Sequence, residues 1–215
     1  GDPSAFLFTV TSASAVGNQA DLAVASGESI SLFGGNVANA GTLSAPGGEI
    51  GLVAVGGEST VRYGIPGSLL GLEMTQGSVP AGTGFAVTDL PALLTGSATP
   101  LVNDLTLQPD GSYTLGALQI EDEEVSVAGE LSTRAIVGDD GGAIALLGRS
   151  VDAFGAVIDA SGDNGGYIRI GRDLESGTLP TSDLVLMNRT SIVRAAGLNG
   201  SGGDVVVGSN IRATV

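Results

Sequence analysis

The stretch 141–147 reads Gly-Gly-Ala-Ile-Ala-Leu-Leu, and the pattern that opens it, Gly-Gly-x-(Ile/Val), occurs three more times in the same phase. The other copies begin at Gly47, Gly165 and Gly202. Each copy is followed by apolar residues at alternate positions, which is the period of a β-strand with one buried face. A related Gly34-Gly35-Asn36-Val37 occurs in another phase. The repeat therefore predicts a series of short, equivalent strands.

The spacing of these strands predicts a solenoid. It is 20 residues from Ile30 to Ile50, 24 from Ile144 to Ile168, and 37 from Ile168 to Val205. A period of about 20–25 residues with one short strand per copy is typical of solenoid proteins. The sequence contains no amphipathic helix that would support a leucine-rich horseshoe, so we expect an all-β, right-handed parallel β-helix with extra-helical β-hairpin excursions. A two-sheet sandwich is the alternative, because short strands with regular turns serve it as well.

The composition excludes several classes of function. The 215 residues include no Cys, no His, no Trp and no Lys, and all eight cations are Arg. Disulfides, thiolate metal sites and histidine-dependent catalysis are therefore excluded. The net charge of −15 argues against nucleic acid as a partner. The chain begins abruptly at Gly1-Asp2-Pro3 without a leader pattern, so we expect a processed chain or a piece of a larger protein.

Three regions are predicted along the chain. Residues 1–57 are β-helix coils, 58–125 are an extra-helical insertion docked on the stack, and 126–215 are further coils with a small excursion near 173–188. The insertion holds five of the eight prolines, which disrupt strand pairing. It also contains a hairpin signal, in which Leu105-Thr106-Leu107 and Tyr113-Thr114-Leu115 flank a Pro-Asp-Gly turn.

Part of the sequence resembles a known family. The stretch 31–57 contains Phe33-Gly34-Gly35-Asn36-Val37 and then Gly41-Thr42-Leu43-Ser44-Ala45-Pro46-Gly47-Gly48-Glu49-Ile50. This stretch is similar to the filamentous-haemagglutinin-like exoproteins of two-partner secretion, which are found in proteobacteria and cyanobacteria. The segments 2–8 and 158–173 also resemble that family, and the resemblance covers about half of the chain.

The resemblance implies a secreted or cell-surface protein that is exported through an outer-membrane β-barrel transporter. We expect a non-enzymatic structural or adhesive protein, a stiff β-helical rod or filament unit. Its expected partners are copies or neighbouring repeats of itself, or a carbohydrate or protein on a host or matrix surface. One alternative is a secretion-recognition module of a larger exoprotein. A second alternative is a carbohydrate-active β-helix enzyme.

Carboxylates are the only candidates for chemistry, since β-helix glycosidases use paired carboxylates on one face. The candidates are Asp159, Asp163 and Asp173, together with Asp139 and Asp140. Because Asp and Asn at corners bond their own backbone, turn chemistry accounts for them without catalysis. We therefore predict no catalytic, cofactor-binding or metal-binding residue and no cofactor. Whether Asp139-Asp140 or the acidic run 121–124 binds calcium is left open.

Overall fold

The computed structural model describes residues 5–7, 14–56, 60–62, 73–75, 105–109, 113–116, 118–172 and 181–214. In these ranges the regular elements are β-strands, and no helix is present. Most strands are three to six residues long and follow one another in groups of three, which we call units.

The strands of the first two units precede the interruption: β2 Val16–Asn18, β3 Asp21–Ala23, β4 Ser29–Gly34, β5 Val37–Asn39, β6 Thr42–Ser44 and β7 Glu49–Ala54. Units 3 to 5 follow it: β13 Glu124–Val127, β14 Glu130–Ser132, β15 Ala143–Leu147, β16 Ser150–Ala153, β17 Val157–Asp159, β18 Tyr167–Ile170, β19 Leu184–Met187, β20 Ile192–Arg194 and β21 Asp204–Val207. A last strand, β22 Arg212–Thr214, begins a sixth unit. The remaining strands are β1 Ala5–Leu7, β8 Thr60–Arg62, β9 Glu73–Thr75, β10 Leu105–Leu107, β11 Tyr113–Leu115 and β12 Leu118–Gln119.

The units stack into three parallel sheets, because each unit gives one strand to each sheet. Sheet I has the order β2-β5-β13-β16-β19-β22, sheet II has the order β3-β6-β14-β17-β20, and sheet III has the order β4-β7-β15-β18-β21. All pairings within these sheets are parallel. The predicted all-β class is confirmed, and this arrangement is consistent with a β-helix-like solenoid.

Equivalent apolar residues face one another along sheet III. Ile30 pairs with Ile50, Ile50 with Ile144, Ile144 with Ile168, and Ile168 with Val205. We call this set the inner column. It runs without a shift of register across the interruption between units 2 and 3, so the strands before and after that interruption belong to the same sheets.

The inner column is one wall of a core that the three sheets share. A single apolar cluster joins fully buried side chains from each sheet, for example Val125 of sheet I, Leu131 of sheet II and Ile144 of sheet III. Burying a side chain of this size stabilises the fold by about 1.5–3 kcal/mol. The small aliphatic composition of the chain therefore matches a narrow core that lies between stacked strands.

The paired glycines are explained by close packing more than by turn conformation. Among the four Gly-Gly pairs, positive φ occurs only at Gly47. The second glycine of each pair lies against the backbone of the preceding unit, so a Cβ on Gly142 would overlap the carbonyl oxygen of Gly48, and one on Gly166 that of Gly142. These glycines therefore allow the corners of successive units to approach one another.

The hairpin predicted within the interruption is confirmed. Strands β10 and β11 are antiparallel, with Leu105 opposite Leu115 and Leu107 opposite Tyr113, and β12 adds a third strand. The centre of its turn, 110–112, lies outside the described residues. Strands β1, β8 and β9 form a second, antiparallel sheet.

Two predicted boundaries differ from the structure. Sheet I resumes at Glu124, inside the predicted insertion 58–125, because Val125 already faces the core. Leu184–Met187, which was predicted to lie in the excursion near 173–188, forms strand β19 of sheet I, because Val185 and Met187 supply its core-facing positions. Residues 173–180 of that excursion lie outside the described residues.

Candidate functional site at the hairpin-covered face of sheet I

The outward face of sheet I is covered by the hairpin β10–β12. Along this face the column of paired residues is Gly17, Ala38, Ser126, Asp152 and Leu186, which we call the outer column. Its two apolar members lie in one buried cluster with side chains of the hairpin and its C-terminal extension, namely Leu105, Leu115 and Ile120. The polar members between them are therefore shut away from solvent.

Small residues on β2 and β5 make room for the hairpin. A Cβ on Gly17 would lie 2.7 Å from Leu105 Cδ2 and 2.8 Å from the Tyr113 ring. The side-chain amide of Gln19 also donates a hydrogen bond to the Leu105 carbonyl. The hairpin is thus packed directly on the edge of sheet I, and the lack of a side chain at one position permits that contact.

Two carboxyl groups are buried under this cover. Glu124 is 3% exposed and Asp152 is 1% exposed. The Ser126 hydroxyl donates to Glu124 Oε1 at 2.5 Å, and the Glu121 backbone amide donates to Glu124 Oε2 at 3.0 Å. Glu124 and Asp152 also share a side-chain hydrogen bond, while Asp152 Oδ1 has no hydrogen-bond partner.

Burial determines the protonation of this pair. Burial raises the pKa of Glu124 to about 7, against the opposing effect of the hydrogen bonds from Ser126 and the Glu121 amide. Burial also raises the pKa of Asp152 well above its ordinary value, and the neighbouring Glu124 raises it further. Two carboxyls in hydrogen-bond contact cannot both ionise without repulsion, so the favoured state at neutral pH holds a shared proton.

A stack of charged corners lies beside the pair. The Glu123 amide donates to the Gly35 carbonyl, the Arg149 amide to the Glu123 carbonyl, and the Asp183 amide to the Arg149 carbonyl, at 2.6–2.7 Å. Glu123 has φ 62°, which is a conformation that favours glycine. Burial raises the pKa of Glu123, and Arg149, 4.0 Å from its carboxylate, opposes that rise. One cation therefore lies between two anions on successive units.

The acidic residues singled out from the sequence have structural roles in the stack. Asp159 is buried and accepts from the Ser161 amide two residues on, as expected for a turn residue. Asp140 instead accepts from the backbone and side chain of Asn164, and Asp163 accepts from the side chain of Asn199. The bonds made by Asp140 and Asp163 join successive units, whereas the prediction was that each side chain would bond to its own local backbone. Asp173 lies outside the described residues.

The carboxyl pair was not predicted from the sequence. Glu124 was considered only within the acidic run 121–124, as a possible calcium ligand, and Asp152 was not singled out. Asp152 lies at an outward position of an ordinary alternating strand, where a polar residue is expected. Only the docking of a distant hairpin buries it, so no local signal in the sequence marks it.

Neither a metal cluster nor a membrane-spanning helix is found in the described ranges. No group of three or more His, Cys, Asp or Glu side chains in them is arranged to hold a metal ion. No helix in the same part of the chain has the length and apolar character required to cross a bilayer.

The stacked sheets and their shared core define an all-β protein with β-helix-like strand order. No family model matches the chain, and no curated protein matches it. Among solved structures, it is similar to the crystal structure of the HMW1 secretion domain from Haemophilus influenzae, at 16% sequence identity and a TM-score of 0.37. The match covers 93% of this chain and 62% of that one, so this chain spans less than two thirds of that length.

Proposed function

We propose that the chain is a non-enzymatic, secreted or cell-surface structural module whose sheets close into a right-handed parallel β-helix. The observation that carries the proposal is the inner column, which keeps its register across the interruption. The right hand is supported by sterics, because a connection between parallel strands of one sheet is right-handed in about 98% of cases. Stacked units bond along one axis, which gives a rod its stiffness.

The non-enzymatic part of the proposal is supported by where the carboxylates lie. Asp159 and Asp152 are buried, and Asp140 and Asp163 are engaged with asparagines of the next unit. A glycosidase needs two carboxyls that meet on one accessible face. Incubation of the chain with acidic and neutral polysaccharides is expected to release no reducing sugar or unsaturated uronate, and release would contradict this proposal.

The structural role is tested by electron micrographs and small-angle scattering of the purified chain. Rods or end-to-end fibres are expected as the concentration rises, because the outermost strands of an open stack offer unpaired backbone groups. Compact monomers at all concentrations would contradict the filament role while leaving the sheet arrangement intact.

A second candidate function is recognition by an outer-membrane β-barrel transporter during export. It is favoured by the stretch 31–57, which resembles the two-partner exoproteins and whose described part, 31–56, contains the whole of unit 2. The test is secretion from cells that express a matched transporter. Scrambling 31–57 is expected to abolish secretion, whereas scrambling the exposed corner 136–140 is expected to leave it unchanged. Equal secretion of both variants would contradict the export role.

A further inference from the structure

The hairpin β10–β12 and sheet I meet over an interface that contains ionisable groups at its centre. Ala38 and Leu186 lie at the two ends of the covered part of the outer column, and Ser126 and Asp152 lie between them. Leu105, Leu115 and Ile120 of the hairpin and its extension share a buried cluster with Ala38 and Leu186. Ser126 and Asp152, between those two residues, are 3% and 1% exposed. An apolar interface of this kind tolerates a polar centre only while its charges are neutralised or paired.

We infer that the Glu124–Asp152 pair is a protonation-dependent latch: it holds the hairpin on sheet I while the two carboxyls share a proton, and it releases the hairpin when both are ionised. The hydrogen bond between the carboxyls requires that proton. Asp152 Oδ1 has no partner to stabilise a charge, so the ionised pair is stabilised by water only after the hairpin has moved away.

The surrounding charges strengthen this effect. Glu121 in the preceding turn raises the pKa of Glu124, and Glu124 raises that of Asp152. Glu123, which directly precedes β13, is in turn acted on by Arg149, Asp122 and Asp183. Tyr113 of the hairpin packs against the same cover. Arg149 is the one cation among them and is already engaged by Glu123 and by the Asp122 carbonyl. A second negative charge at Asp152 is therefore opposed by burial and by the charge of Glu124.

Hydrogen exchange of the full chain, followed by mass spectrometry between pH 5 and 8 and corrected for the intrinsic rate, tests the latch. Protection of the segment 105–122 is expected to fall at least about tenfold over that range, since each pH unit of unequal proton binding changes an equilibrium by about tenfold. Protection of β15 is expected to stay higher than that of 105–122 at every pH, because the shared core exchanges only on global unfolding whereas the hairpin opens locally. A segment 105–122 whose protection does not change with pH would overturn the inference.

Substitutions separate the latch from a general effect of charge. Asp152→Asn and Glu124→Gln keep the shape of each side chain, and each leaves one buried carboxyl that still titrates, so each is expected to reduce the fall in protection of 105–122, and the double variant is expected to abolish it. Asp163→Asn removes a half-buried carboxyl outside this interface and is expected to behave as wild type. An undiminished pH dependence in Asp152→Asn, or its loss in Asp163→Asn, would contradict the latch.

A third variant covers the case in which the isosteric substitutions fail to fold. Ser126→Ala removes the hydroxyl that donates to the charged form of Glu124, so the fall in protection is expected to move to higher pH. A fall at unchanged or lower pH would count against the assigned pair.

Discussion

The inner and outer columns run through the same units, yet they follow different rules. The inner column is almost uniform, with four isoleucines and a valine. Each member packs against the equivalent residue of the next unit, so every position has the same surroundings. The outer column varies from glycine through serine and aspartate to leucine, because its neighbours include whatever docks on the sheet. Repetition determines the first column, and a unique tertiary contact determines the second.

The largest expected effect comes from breaking the inner column at its centre. Ile144→Ala removes a fully buried side chain, so we expect the free energy of unfolding to fall by about 2–5 kcal/mol. Val205→Ala is the matched control at the end of the same column, where the side chain is 45% exposed, and a loss under about 1 kcal/mol is expected. Urea titrations followed by circular dichroism measure both. Equal losses would mean that the column does not form a continuous core.

The next effect concerns the outer column and pH. In the unfolded chain Glu124 has its ordinary pKa of 4.5, and in the folded chain its pKa is raised to about 7. The folded state therefore binds more protons between these values, and its free energy of unfolding falls as the pH rises through that window. For Glu124 alone, the free energy of unfolding falls by roughly 3 kcal/mol, at about 1.36 kcal/mol per pKa unit. This contribution levels off once the pH exceeds the folded-state pKa of about 7.

Glu124→Gln is the variant that tests this linkage. Urea titrations at pH 4 and pH 8 are expected to give a smaller fall in stability for the variant than for wild type, so the variant is relatively more stable at pH 8. Asp163→Asn, which removes a half-buried carboxyl elsewhere, is the control and is expected to follow wild type. A variant that loses as much stability as wild type would show that Glu124 does not contribute this pH dependence.

A smaller effect is expected where the hairpin meets β2. Gly17→Ala places a Cβ against Leu105 and Tyr113, and overpacking of this kind costs about 1–3 kcal/mol. The control Gly51→Ala lies on sheet III, where the nearest heavy atom to the added Cβ is Ser31 Oγ at 3.4 Å, so little change is expected. Limited proteolysis within 105–122 measures the loosening of the hairpin. Faster cleavage in the control than in Gly17→Ala would contradict the proposed contact.

The parts of the fold that repeat could be predicted from the sequence. The Gly-Gly-x-(Ile/Val) copies lead into β7, β15, β18 and β21, which all belong to sheet III. The related Gly34-Gly35-Asn36-Val37, noted as lying in another phase, leads into β5 of sheet I. The hairpin was also predictable, because a Pro-Asp-Gly turn between alternating segments is a local signal. Each of these signals is contained in a few neighbouring residues or in a fixed period.

The parts that depend on unique long-range contacts could not be predicted. Ser126 and Asp152 belong to strands whose outward positions normally face water, and nothing near them in the sequence marks the hairpin that covers them. Leu184–Met187 falls within the predicted excursion near 173–188, although it forms a strand of sheet I. Hence the core can be predicted from the period, whereas the candidate site depends on where the interruption docks.

The smallest effect is expected at an exposed corner between units 3, 4 and 5. Asn164 donates from its backbone and side chain to Asp140, and its side-chain oxygen accepts from the Ser201 amide, so one residue joins three units. Asn164→Ala removes the side-chain bonds and is expected to lower the free energy of unfolding by about 1 kcal/mol, since water competes for these groups. Asn199→Ala removes one bond, to Asp163, and is the graded control. Neither substitution touches the inner column, so thermal unfolding is expected to remain a single transition in both variants. A separate early transition in Asn164→Ala would show that these corner bonds, rather than the apolar core, hold the units together.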